Sequence, residues 1–409
     1  MAADLVLRRA RVDGHEGDVD VVVQDGTIGA IGRDAGARAA GDVLDVGGRY
    51  VSPGFVETHV HLDKSCILDR VQNREGTLAE AIREVAKAKA AFTVDDVHAR
   101  ASRTLERAIV QGTTRMRTHV EADPGIGLRG FDAVQALVGE YAWAIDLEIC
   151  VFPQEGLTNN PGTEVLMVEA LRRGARVVGA APYVDTDPHA QIDRVFAIAR
   201  DFDVPIDMHL DFTLDASKMD VEYVCAKTRE HRYGGRVAIG HVSTLSALPA
   251  RRFDEVAAML ADAGVAVTVL PSTDLFLMGR GVDHDVPRGV APAHRLVQAG
   301  VNASLSTNNV LNPFTPFGDC SLVRIANLFA NVAQLGSRDE LALCHELITG
   351  RAARLIGARS EVREGAPADL VVLDCEGAAQ AIAEISVPRY AFKGGRMTVS
   401  RTPATLHRP

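Results

Sequence analysis

Paired cysteines, basic runs and long apolar stretches are missing from this chain, and each absence removes a class of function. The six cysteines, Cys66, Cys150, Cys225, Cys320, Cys344 and Cys375, are scattered with no C-x-x-C pair. That spacing argues against a disulfide scaffold and suits a reducing compartment, with buried thiols as the expectation. Lys and Arg number 44 against 54 Asp and Glu, a formal charge of −10, with no cationic run to track a phosphate backbone. A nucleic-acid partner is therefore not expected. No apolar run reaches the ~18 residues that a membrane span needs, and MAADLVLRRARVDG at the N-terminus has no basic region followed by an apolar one. The expectation is a soluble, cytoplasmic protein with no membrane partner.

What is present is material for a large core: 409 residues, 47% of them hydrophobic. Residues 1–50 break into short alternating pieces, DLVLRRARV, GDVDVVVQDGTIGAIG and DVLDVGGRYV, separated by Asp-Gly and Gly-Gly turn signals. From Val51 the pattern changes to short apolar runs alternating with amphipathic helical segments, the signature of a parallel β/α architecture. TLAE at Thr77 and TVDD at Thr93 are helix starts, and Gly174, Gly264 and Gly300 are helix stops.

Eight candidate strands follow: Tyr50–Thr58, Thr113–Val120, Leu147–Phe152, Arg176–Ala181, Pro205–His209, Val237–His241, Val265–Leu270 and Asn302–Ser306. They predict a (β/α)8 TIM barrel over 51–356, and the return to strands after residue 357 predicts a small β-sandwich built from 1–50 and 357–409. Pro271 to Pro292 reads as a long functional loop after the seventh strand.

Chemistry in such a barrel gathers at the C-terminal strand ends. His59 and His61, two apart at one strand end, turn both imidazoles to the same side. Alone, the pair also fits a polar strand end. With His209 ending strand five and His241 ending strand six, imidazoles from three strands meet at one mouth. That set suits one divalent metal ion, zinc or iron, on His59, His61 and His209, with His241 catalytic or bonding to the site without touching metal.

The motifs FVETHVHLDK, RTHVEAD, FPQEG, DMHLD, GHVST and ASLSTNNVLNPF, closed by ADLVVLD and VPRYAFKGGR, resemble the cytosine deaminase branch of the amidohydrolase superfamily over nearly the whole chain. The resemblance implies a mononuclear metal on His59, His61 and His209, with a fourth ligand at position 308. It also implies that His241 sits beside the attacking water or substrate and that Gln154 hydrogen-bonds a small nitrogen heterocycle.

Two positions depart from that pattern. Asn308 stands where the family has a metal-binding, proton-accepting aspartate, and Phe212 where it has a proton-shuttling glutamate. An amide cannot take a proton from water, so general base catalysis worth roughly 10² to 10⁴ in rate must come from elsewhere. His241, Asp211 and Asp215 are the candidates, Asp211 on the face of His209 if that strand continues. Phe212 and Phe276 would line an apolar wall, unless Phe212 turns into a helix interface, and Asn309 would touch substrate. The leading expectation is a metal-dependent hydrolase cleaving a C–N bond of a small heterocyclic or amide-like substrate, with homo-oligomerisation compatible. The alternative is a degenerate barrel that binds a small molecule or runs a lyase or isomerase step.

Overall fold

On its first passage from sandwich to barrel the chain crosses at a single glycine. In the computed structural model, which describes residues 2–37 and 40–407, the predicted strand Tyr50–Thr58 is two strands, Tyr50–Pro53 and Phe55–Val60. Tyr50–Pro53 pairs antiparallel with Leu370–Leu373, whereas Phe55–Val60 pairs parallel with Thr113–Glu121. The chain changes partner at Gly54, whose N–H goes to the Asp369 carbonyl while that of Phe55 goes to Gly112. A Cβ at Gly54 would fall 2.2 Å from the Thr114 hydroxyl oxygen, so the handover needs a residue without a side chain.

Eight parallel strands form the barrel: Phe55–Val60, Thr113–Glu121, Asp146–Phe152, Val177–Ala180, Ile206–Leu210, Val237–His241, Val265–Val269 and Ala303–Leu305, in spatial order from first to eighth. An isolated parallel bridge between Val60 and Asn308 closes the ring. The Asn308 N–H donates to His59 O and the His61 N–H to Asn308 O, each at 2.9 Å. Closure of the barrel therefore brings Asn308 beside the His-x-His pair.

The intervening helices start and stop where their sequence signals lie. Thr77 and Thr93 accept the N–H of Glu80 and Asp96. Val97, Ala101, Leu105, Ala108 and Ile109 form the buried stripe of the helix Val94–Val110. Gly264 ends Ala250–Ala263 at φ +68°, a left-handed position where glycine has no Cβ penalty. Pro271 to Pro292 is not loop throughout, because Pro271–Leu277 is a short helix with its proline in the first turn.

The termini form two four-stranded sheets. One holds Ala2–Ala10, Val19–Gln24, Thr27–Gly32 and Ala40–Asp45; the other holds Tyr50–Pro53, Leu370–Leu373, Pro388–Lys393 and Arg396–Ser400. Alternation decides the packing: Val51, Leu370, Val372 and Phe392 share a core with Leu5, Leu7, Val21 and Val23, whereas Val371, Leu373 and Ala391 join the barrel's core. The second sheet is thus packed on both faces. All six cysteines are free and buried, and no helix among the described residues is long and apolar enough to cross a membrane.

Candidate active site

At the C-terminal mouth, Nε2 of His209 lies 3.0 Å from Nε2 of His59 and 3.0 Å from Nε2 of His61. All three rings are buried. Burial first, and then neighbouring positive groups, hold the imidazoles well below their ordinary pKa: His119 acts on His59, Lys64 on His61 and His59 on His209. With His209 close to both His59 and His61, the three neutral imidazoles are a donor set that would suit a borderline divalent cation.

A second trio overlaps the first, since ligand atoms of His59, His119 and His209 lie within 4.8 Å of one another. The 3.0 Å approach of His61 favours the first trio, because His119 turns Nε2 to Asp207 Oδ1 at 3.5 Å and stacks on His59 with centroids 3.8 Å apart. Asp207 also has Oδ1 3.9 Å from Nδ1 of His59 and accepts from Arg117 Nη1 at 2.9 Å. It can orient His59 so that Nε2 faces the centre.

His241 ends the sixth strand at φ +68°, and its Nδ1 lies 2.6 Å from Oδ1 of buried Asp274. A carboxylate partner places the proton on Nδ1 and leaves Nε2 as the acceptor, 3.5 Å from Nδ2 of Asn308. Phe212 lies face to face with the His241 ring, centroids 3.8 Å apart, and lines the cavity. It does not turn into a helix interface.

Asp211 is placed differently from expectation. The strand stops at Leu210, and Asp211 adopts φ +48°, which ends the alternation that would have put it beside His209. Its carboxylate accepts the N–H groups of Asp220 and Val221 at the start of the helix Val221–Glu230, and burial pushes its pKa up to about 7. It caps a helix and does not line the cavity. Asp215 likewise bonds locally, to the N–H of Ser217. Phe276 lies outside the lining as well, packed edge-on against Phe317 and under the Arg280 guanidinium; Phe314 and Tyr183 supply the aromatic wall.

Gln154 and Asn309 both line the cavity, a narrow cleft with closed-up room for about 10 Å³. Gln154 Oε1 accepts from Lys64 Nζ at 2.7 Å. An ammonium only donates, so the amide orientation is determined and Nε2, buried without a partner, is what Gln154 has left to offer. Lys64 also donates to Glu121 at 2.8 Å, and Glu121 accepts from Lys89 at 2.9 Å. Burial would raise the Glu121 carboxyl, but the two ammonium groups outweigh it and hold it at about 2. Asn309 Oδ1 accepts from Asn312 at 2.7 Å. A wider groove bordered by Arg11, Tyr50, Arg338 and Glu376 gathers no metal-ligating cluster among the described residues.

Sequence reasoning missed Lys64, His119, Asp207 and Asp274. Lys64 follows His61 by three residues in HLDK and His119 sits in the quoted RTHVEAD, so both carried a signal. Asp274 carried none, since only the short helix after Pro271 turns it towards His241.

The amidohydrolase family profile matches residues 105–401, well over half of the chain. The chain belongs to the amidohydrolase family. It is a hydrolase of C–N bonds, and its barrel with a separate sheet of terminal strands is the fold of that family. It is 26% identical over 407 residues to N-isopropylammelide isopropyl amidohydrolase of Pseudomonas sp. (strain ADP), covering 97% of both chains. Pterin deaminase of Rhizobium rhizogenes is 26% identical over 387 residues, covering 92% of this chain and 87% of the relative. The crystal structure of 5-methylcytosine deaminase from Klebsiella pneumoniae with 5-fluorocytosine superposes with a TM-score of 0.93 at 27% identity, covering 99% of both chains.

Proposed function

We propose that this amidohydrolase cleaves a C–N bond of a small nitrogen heterocycle, releasing ammonia or an amine, with zinc or iron held by His59, His61 and His209. The two short approaches to His209, from the Nε2 atoms of His59 and of His61 at 3.0 Å each, carry the reading. Such an ion, when bound, supplies Lewis acidity that polarises the substrate and makes water a better nucleophile. Relatives that deaminate pterin and 5-methylcytosine or act on N-isopropylammelide support a ring substrate.

The chain's own groups handle orientation and protons. His241 Nε2 takes a proton from the attacking water, and Asp274 at Nδ1 stabilises the imidazolium that results. As water oxygen bonds to the ring carbon and the C–N bond breaks, one proton passes from His241 to the departing nitrogen and the other ends on the adjacent ring nitrogen. Asn308, an amide where the family pattern has a carboxylate, takes no part in that transfer. Gln154 positions the ring by donation, and Phe212 confines His241.

The test is ammonia or amine release from a panel of amino-substituted pyrimidines, triazines and pterins by zinc- or iron-reconstituted protein. Turnover that His241→Asn abolishes without metal loss is expected. No release from any member by fully loaded protein contradicts the reading.

A further inference from the structure

We propose that the cavity selects a substrate carrying an anionic oxygen, received jointly by Lys64 and Gln154. The proposal deepens the hydrolase reading and rests on its placing the substrate in this cavity.

The lining is unusual in its charge. Lys64 contributes a full positive charge, and among the described residues no Asp or Glu lines the space. The two positions where the family pattern has acidic groups present the amide of Asn308 and the ring of Phe212, and Asn309 adds a second amide. The nearby carboxylates lie behind the lining: Asp274 with His241, Asp207 with Arg117, Glu121 shared between Lys64 and Lys89, and Asp63, which accepts the Glu121 N–H through Oδ2 and leaves Oδ1 unpartnered. Asp123, 2.6 Å from Lys89 Nζ, and Glu155 lie beyond that lysine and do not border the cavity.

Lys64 is 2% exposed, and its Nζ has two oxygen partners for three N–H bonds. The rings of Phe314 and Phe152 flank it, with centroids 4.7 and 5.5 Å from Nζ. Next to it, the Gln154 carbonyl is consumed by Lys64, so its buried and unpartnered Nε2 can only donate. This end of the cavity therefore presents two donors, one of them charged, beside the Tyr183 hydroxyl, which can also donate. A ligand ring N–H placed here would leave donors facing donors. A neutral carbonyl would satisfy the geometry, but an anionic oxygen makes charge-assisted hydrogen bonds about twice as strong to the free ammonium N–H that Glu121 leaves over.

Two sources share this chemistry: an acidic ring imide in its deprotonated form and a ring bearing a carboxylate. Barbiturate and orotate represent them, and uracil is the neutral ring of similar size. Calorimetric Kd values are measured for all three, on metal-free and zinc-loaded protein, near pH 8. At least one anion binds about tenfold or more tightly than uracil in both metal states; which of the two does so identifies the source. Gln154→Glu keeps an acceptor for Lys64 and so preserves the buried pair, but it replaces the free donor by a carboxylate oxygen. It weakens anion binding by roughly a hundredfold and leaves uracil within about tenfold of its original Kd. Lys64→Met removes the anion preference.

Equal affinity for uracil and both anions, or no detectable binding of either anion, overturns the proposal. So does a preference confined to zinc-loaded protein, which would belong to the ion, or an equal loss for all three ligands in Gln154→Glu. Because binding needs no turnover, failure to release ammonia would defeat the hydrolase reading and leave this result standing.

Discussion

Nδ1 of His241 lies 2.6 Å from Oδ1 of Asp274, with both side chains buried at the barrel mouth. The contact determines which nitrogen of His241 faces the cavity and supplies the counter-charge for its protonated form. Asp274→Asn keeps the size of the partner and removes the charge. We expect kcat to fall by about 10²-fold or more with metal content unchanged. Unaltered kcat in a variant that still binds metal would show that proton transfer runs through another group.

Asn308 gives the site an amide whose Nδ2 lies 3.5 Å from His241 Nε2 and whose buried Oδ1 has no partner. Asn308→Asp is expected to tighten metal binding by about tenfold, since a carboxylate is a stronger ligand than an amide. Native turnover should drop, because the new charge meets His241 and repels an anionic substrate. A rise in native kcat/KM would mean that the asparagine is a handicap.

The segment after Gln154 is tied down by Asp185, which accepts the N–H groups of Leu157 and Thr158 at 2.7 and 2.9 Å and Nε2 of Gln191 at 2.6 Å. Burial would raise its pKa, but these bonds and one from the Thr158 hydroxyl outweigh it and hold the carboxyl at about 2. The folded value lies below the ordinary 3.8, so the stabilisation is complete above that pH and is lost as pH falls through about 2. The Tm difference between wild type and Asp185→Asn should be largest near neutrality and shrink between pH 4 and pH 2. A difference independent of pH would contradict the assignment.

The six thiols are buried, and burial pushes Cys225 up to about 11 and Cys344 up to about 12. Native protein should react slowly with a disulfide reagent, and denatured protein should titrate fully. Rapid labelling of native protein would show that the barrel opens.

The barrel was legible because each apolar run ends at a turn or cap, and the histidines because they sit at those ends. Gly54 was missed because the run from Tyr50 to Thr58 was read as one strand through the Pro53-Gly54 pair, a break signal that marks the change of pairing partner. Asp211 was misjudged because alternation was extended one residue past Leu210, where a left-handed backbone turns the carboxylate to a helix start. Phe276 looked like a wall residue while Pro271–Leu277 was read as loop; as a helix, that segment turns Asp274 inward and packs Phe276 on Phe317. Partnerships such as Lys64 with Gln154, 90 residues apart, depend on the closed ring and have no local signature.

The claim that His59, His61 and His209 together hold one divalent ion is tested most directly by metal stoichiometry. Wild type and a His59→Ala/His61→Ala variant, both shown to be folded by circular dichroism, would be reconstituted with zinc, dialysed and analysed by mass spectrometry. The account predicts a single bound ion in wild type and almost none in the double variant, which keeps only His209 of the ligand set. Full occupancy in the double variant would contradict it and move the ion to another set of residues.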